Sequence, residues 1–114
     1  MLNRESRLRQ SRDIVRVLKF GRRLPLQHCK LYVQPNKLSK IRAAVIVPKK
    51  VDKRAVVRNR NRRRVIEVLR LNIQQCKPGF DILVYIHSDI QNLKPIELTK
   101  EILDGLMKIG VIES

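Results

Sequence analysis

The chain has 114 residues, 26 of them Lys or Arg against 10 Asp or Glu, so its formal net charge is +16 and its isoelectric point about 11.0. A soluble protein this basic lives against a polyanion, and RNA or DNA fits that role better than a membrane surface. The 43% apolar content suits one folded domain with a modest core and excludes a wholly disordered basic chain.

No apolar run reaches the roughly 18 residues that a membrane span needs, and the N-terminus shows no secretory h-region, so the expected location is the cytoplasm. Cys29 and Cys76 have neither motif spacing nor a neighbouring His. They read as core thiols in a reducing compartment rather than zinc ligands.

Taken in order, residues 1–10 form a basic, flexible arm in a single domain covering 1–114, with Leu2 and Leu8 its only large apolar side chains after Met1. Ser11 is the expected N-cap of a first helix, Asp13 favours its first turn, Ile14, Val17 and Leu18 share one face, and Gly21 stops it. Arg22 to Leu26 reads as an edge strand, since Pro25 is tolerable only there. From His28 to Gln34 the residues alternate. Cys29, Leu31 and Val33 point to the core, and His28, Lys30, Tyr32 and Gln34 to an open face, where Tyr32 is available to stack on an unpaired base and His28 is a surface residue. Pro35 to Lys40 is a turn. Ile41 to Val47, apolar on both faces, is expected at the centre of the sheet.

Lys49 to Arg70 is the most informative stretch, KKVDKRAVVRNRNRRRVIEVLR, with ten cations and only Asp52 and Glu67 acidic. Val65, Ile66, Val68, Leu69 and Ile73 recur at helical spacing, so the second half packs on a core. Arg60, Arg63, Arg64 and Arg70 fall away from that stripe. Arg58 and Arg62 lie in line with it but earlier, where burial would be prohibitive. The helix is therefore expected to overhang the core and project Arg58, Asn59 and Arg62 outward, with Glu67 serving Arg63 or Arg64. Charges this dense attract phosphate, helped by the helix N-terminus.

Lys77-Pro78-Gly79 then makes a turn, and Phe80, Ile82, Val84 and Ile86 alternate against Asp81, Leu83 and Tyr85 in another strand. Ser88 to Lys94 is a loop. Pro95 opens a last helix with Leu98, Ile102, Leu103, Leu106 and Ile109 on its core side, ending near Gly110.

A protein nuclease needs clustered carboxylates, a His pair or a proton-transferring Lys. Here the acids are scattered, Glu101 and Asp104 read as a solvated helix face, and His28 and His87 have no reason to meet. The residues describe an RNA-binding module with no catalytic or metal-ligating residue of its own.

The order Lys49-Lys50, a short loop, Ala55-Val56-Val57, Arg58-Asn59-Arg60, Arg62-Arg63, Glu67 and Arg70 resembles the bacterial ribonuclease P protein subunit. The resemblance implies an α+β fold: a two-layer sandwich with an about four-stranded mixed sheet, three helices and a left-handed βαβ crossover, ribosomal protein S5 domain 2-like. It also implies the protein subunit of an endoribonuclease, a hydrolase that removes the 5′ leader from precursor tRNA. The chemistry would belong to ribonuclease P RNA and Mg²⁺ held mainly by that RNA, with no protein-bound cofactor and one protein per RNA.

By that resemblance Lys49, Lys50, Lys53, Arg54, Arg58, Asn59, Arg60, Arg62, Arg63 and Arg64 would bind the catalytic RNA. Arg7, Ile14, Arg16, Leu18, Lys30 and Tyr32 would line the leader cleft, where Ile14 and Leu18 stand in place of the family's aromatics. A ribosomal or translation-associated RNA-binding protein is the alternative, followed by a DNA-binding protein using the Arg-rich helix.

Overall fold

A computed structural model describes residues 2–113; Met1 and Ser114, included in the single-domain reading, lie outside them. Helix α1 (Ser11–Phe20) is followed by strands β1 (Arg22–Pro25), β2 (Cys29–Pro35) and β3 (Arg42–Ile46), helix α2 (Ala55–Asn72), strand β4 (Phe80–Ile86) and helix α3 (Pro95–Lys108). The sheet order is β1-β2-β4-β3. The pairs β1–β2 and β2–β4 are antiparallel, while β3 and β4 are parallel and joined through α2. This is the α+β arrangement of three helices and a four-stranded mixed sheet that the resemblance implied.

The period-two alternation sorts the strands onto two faces. Cys29, Leu31, Val33, Ile82, Val84, Ile86 and Ala43 join the main core beneath α2 and α3. From α2 that core takes Val65, Val68 and Leu69, and from α3 Leu98, Ile102 and Leu106. Each fully buried aliphatic side chain stabilises the fold by about 1.5–3 kcal/mol before the loss of chain entropy. Gly105 allows α3 to lie close on β2, since a Cβ there would meet Leu31 Cδ1 at 2.8 Å. Gly79, at φ +92°, makes the tight turn into β4, where its N–H donates to the Lys40 carbonyl at 2.9 Å.

Four sequence expectations change. The strand from 42 to 46 is at the sheet's edge, not its centre. Its double-sided apolarity has another origin: α2 covers one face, while α1 and the N-terminal segment crowd the other face and the edge.

The arm is not free. Leu2 and Leu8 are buried, residues Arg4–Ser6 make a 3-10 turn, and Leu8 N–H donates to the Ala43 carbonyl at 2.9 Å as Arg7 pairs alongside β3. Two leucines in a basic segment sufficed to anchor it. Helix α1 includes Ser11, leaving Gln10 at the cap position without a side-chain capping bond. Nor does α2 overhang: Val57 is 3% exposed and Asn61 0%, so the buried stripe runs back through the basic turns.

Candidate nucleic-acid interface

Why the stripe could continue is a matter of hydrogen bonding. Asn61 Nδ2 donates to the Val57 carbonyl at 2.9 Å and to Asp89 Oδ1 at 3.1 Å, and its Oδ1 accepts from Ile90 N–H at 2.7 Å. A buried amide satisfied this fully is tolerable in the core. It fastens the loop before α3 to α2. Arg64 does the same from the next turn, donating to the carbonyls of Ile90 and Leu93. Arg64, expected among the cations that bind the catalytic RNA, is thus a brace, because carbonyls within reach claim its guanidinium.

Arg58 is also turned inward. Its Nη1 donates to the carbonyls of Asp52 at 3.0 Å and Lys53 at 2.8 Å, closing the loop that leads into α2. Asp52 accepts from Arg54 N–H at 2.8 Å and from its Nε at 3.1 Å. The Arg54 guanidinium pulls the Asp52 carboxyl down to about 2. Glu67 pairs with Arg70, not with Arg63 or Arg64: Arg70 Nε donates to Glu67 Oε2 at 3.1 Å. The carboxyl is accordingly held below its ordinary range by that hydrogen bond.

With these partners subtracted, Lys49, Lys50, Lys53, Arg60 and Arg63 are exposed, and among the described residues none has a carboxylate within 4.0 Å. Lys49 and Lys50 sit in a turn closed by Val51 N–H on the Pro48 carbonyl at 3.1 Å. Arg62 is half-buried and donates to Asn59 Oδ1 at 2.5 Å, a neutral partner that leaves its charge uncompensated. The loop and the first turns of α2 therefore gather a positive surface on one side of β3.

The second proposed surface, on the other face of the sheet, is more closed than expected. Helix α1 lies across β2 and β4, so Tyr32 is only 9% exposed and packs with Leu8, Val17 and Leu83, while Ile14 and Leu18 border that small core. Tyr32 is a packing residue. The half-exposed aromatic on this face is Tyr85, which pairs across the strands with Lys30 and Ile46. The sequence signal for it was available, since Tyr85 and Tyr32 occupy the same alternation phase once β2 and β4 are in register. Arg7 and Arg16 are exposed near this face, and Lys30 is half-buried.

At the far end of the face, Arg42 donates from Nε and Nη2 to Asp81 at 2.8 and 2.7 Å. Its Nη1 lies 3.6 Å from Asp13 Oδ2, which ties α1 to the sheet. The Asp81 hydrogen bond strengthens the hold of Arg42 on its proton.

His28 is not a free surface residue, for its Nδ1 lies 2.7 Å from Glu101 Oε1 and its N–H donates to Oε2 at 2.9 Å. Glu101 is therefore an anchor for the turn before β2 and not a solvated face residue. Cys29 is buried, and desolvation pushes its thiol up to about 12; Cys76, half-buried, is raised to about 11 for the same reason. Among the described residues no group of three or more His, Cys, Asp or Glu is placed to hold a metal ion, and no helix is long and apolar enough to cross a membrane.

The sequence and the fold both have relatives. A family model described as Ribonuclease P matches residues 2–110. The ribonuclease P protein component of Clostridioides difficile strain 630 is 39% identical over 82 residues, covering 71% of each chain. The solved RNase P protein of Thermotoga maritima superposes with a TM-score of 0.81 at 25% identity, over 90% of this chain and 96% of that one. That of Staphylococcus aureus gives 0.83 at 21% identity, over 95% and 98%, a likeness of fold.

Proposed function

The chain belongs to the ribonuclease P protein family, and from that premise we propose how it serves the enzyme: it holds the catalytic RNA and the precursor-tRNA leader on two adjoining surfaces. It is the protein subunit of an endoribonuclease that matures tRNA 5′ ends, and its partner is ribonuclease P RNA. The chemistry is assigned to that RNA, with Mg²⁺ on RNA phosphates activating the water. This chain contributes binding and orientation, as one protein per RNA, in the cytoplasm.

The observation that carries the reading is the exposed group Lys49, Lys50, Lys53, Arg60 and Arg63, free of carboxylate partners at the loop and first turns of α2. Such cations neutralise phosphates without reading sequence, which suits docking on a folded RNA. Around the corner, the face bearing Lys30, Tyr85 and Ile46 beside α1 offers a cation, an aromatic ring and an aliphatic side chain to an unpaired strand. Asp52, Glu67 and Asp81 are each engaged by an arginine, so these three carboxylates do little to oppose an RNA chain.

The test is 5′-leader cleavage of a precursor tRNA at low Mg²⁺ by a bacterial ribonuclease P RNA, with and without this protein, beside a protein-only control. Cleavage restored only when both are present is the expected result. Restoration by the protein alone, or none with both, would contradict the proposal.

A further inference from the structure

A cavity of about 300 Å³ opens at the outer edge of β3, between the N-terminal segment, α1 and α2. That is the lower end of the roughly 300–1,000 Å³ range of small-ligand pockets. Its lining is mostly apolar, with Leu8, Ile14, Val45 and Ile66, and also includes Arg7, Arg9 and Arg62. None of these three guanidiniums has a carboxylate within 4.0 Å among the described residues. Ala43 directs its carbonyl away from β4 to the Leu8 N–H. Val45, two residues along and so turned the same way, presents its backbone N–H and C=O along the free edge toward the cavity.

An apolar slot, a hydrogen-bonding peptide group at its side and cations beside it suit a nucleotide of the bound RNA, with its base inserted and its phosphate outside. The slot's place in the fold says which nucleotide. The α2 cations stand on one side of the sheet and the α1 face on the other, and the β3 edge lies between them. We infer that this cavity seats one unstacked base of the bound RNA strand at the point where the strand turns from the α1 face to α2, with Arg7, Arg9 and Arg62 on its flanking phosphates. The inference rests on the RNA-binding reading above and adds a discrete subsite to it.

The test uses the full chain and a single-stranded RNA of about eight nucleotides, within the usual site sizes, carrying 2-aminopurine at one position at a time. Fluorescence is expected to rise on binding at one interior position, where the base leaves the stack. Ile66→Trp, which fills the slot, should abolish that rise and weaken binding roughly tenfold, the size of one lost base contact. Arg9→Gln should weaken binding several-fold; Arg9 is exposed and makes no side-chain bond among the described residues, so this variant carries the test if Ile66→Trp fails to fold. Equal fluorescence at every position, or unchanged binding in Arg9→Gln, would overturn the subsite. Free adenosine monophosphate should not displace the RNA at matching concentration; displacement would reassign the slot to a free nucleotide. Leader cleavage measured on the same wild-type preparation separates the two claims: restored cleavage without a position-specific signal removes the subsite alone.

Discussion

Two sets of arginines share helix α2 and do opposite work. Arg58 and Arg64 turn inward and donate to backbone carbonyls of the loops at either side, whereas Arg60 and Arg63 point outward and meet no carboxylate. The difference lies in what each turn of the helix faces, not in residue type. A charge run is thus divided by the fold into braces and contacts, and removing one kind should injure stability while removing the other should injure binding.

The sharpest break in that division lies on the other face, between the two tyrosines. Tyr32→Ala should destabilise the fold by about 3 kcal/mol, as for other buried aromatic truncations. Tyr85→Ala should lower the melting temperature less than Tyr32→Ala does and weaken single-stranded RNA binding by roughly tenfold. Thermal melting paired with a leader-binding titration checks both, and a stable Tyr32→Ala with lost RNA binding would restore the open-face role for Tyr32.

Next in size is Asn61→Leu, which keeps the branched shape but strands the Ile90 N–H and removes one donor from Asp89. The expected cost is about 2–3 kcal/mol, seen as a melting temperature lowered by roughly 10 °C. A melting temperature equal to the wild type's would show that the amide bonds at the core end of α2 contribute nothing net.

The smallest effect is on acid stability. Asp52 has its pKa lowered from the ordinary 3.8 to about 2 by Arg54. A depressed folded value means the contribution is present above about 3.8 and fades as the pH falls through 2. The difference in urea midpoint between wild type and Asp52→Asn should therefore narrow between those two pH values. A gap that stays constant across that window would remove the carboxylate's charge as its cause.

Much of this was legible in the sequence, and the misses have physical reasons. The alternation in residues 80–86 and the stripe Leu98, Ile102, Leu106 placed β4 and α3 correctly because period and burial coincide there. The basic surface was legible as charge, since Lys49, Lys50, Arg60 and Arg63 are exposed.

What failed depended on long-range partners. Nothing local marks Asn61 within a basic run as buried, and only the loop at Asp89 and Ile90, 28 and 29 residues away, makes it a core side chain. Arg64 took its role from the same loop. The edge position of β3 was hidden because Leu2 and Leu8 cover it, so its residues carry the composition of a central strand. Tyr32 was misplaced because pattern tells which face a residue is on but not which helix closes that face.

The most direct measurement is the salt dependence of affinity for ribonuclease P RNA, compared among wild type, Arg60→Ala with Arg63→Ala, and Arg64→Ala. The outward pair should reduce the log–log slope by about 1 per lost phosphate contact with the melting temperature unchanged. Arg64→Ala should keep the wild-type slope while costing about 1–2 kcal/mol of stability. A slope reduced by Arg64→Ala and untouched by the outward pair would contradict the division of α2 into braces and contacts.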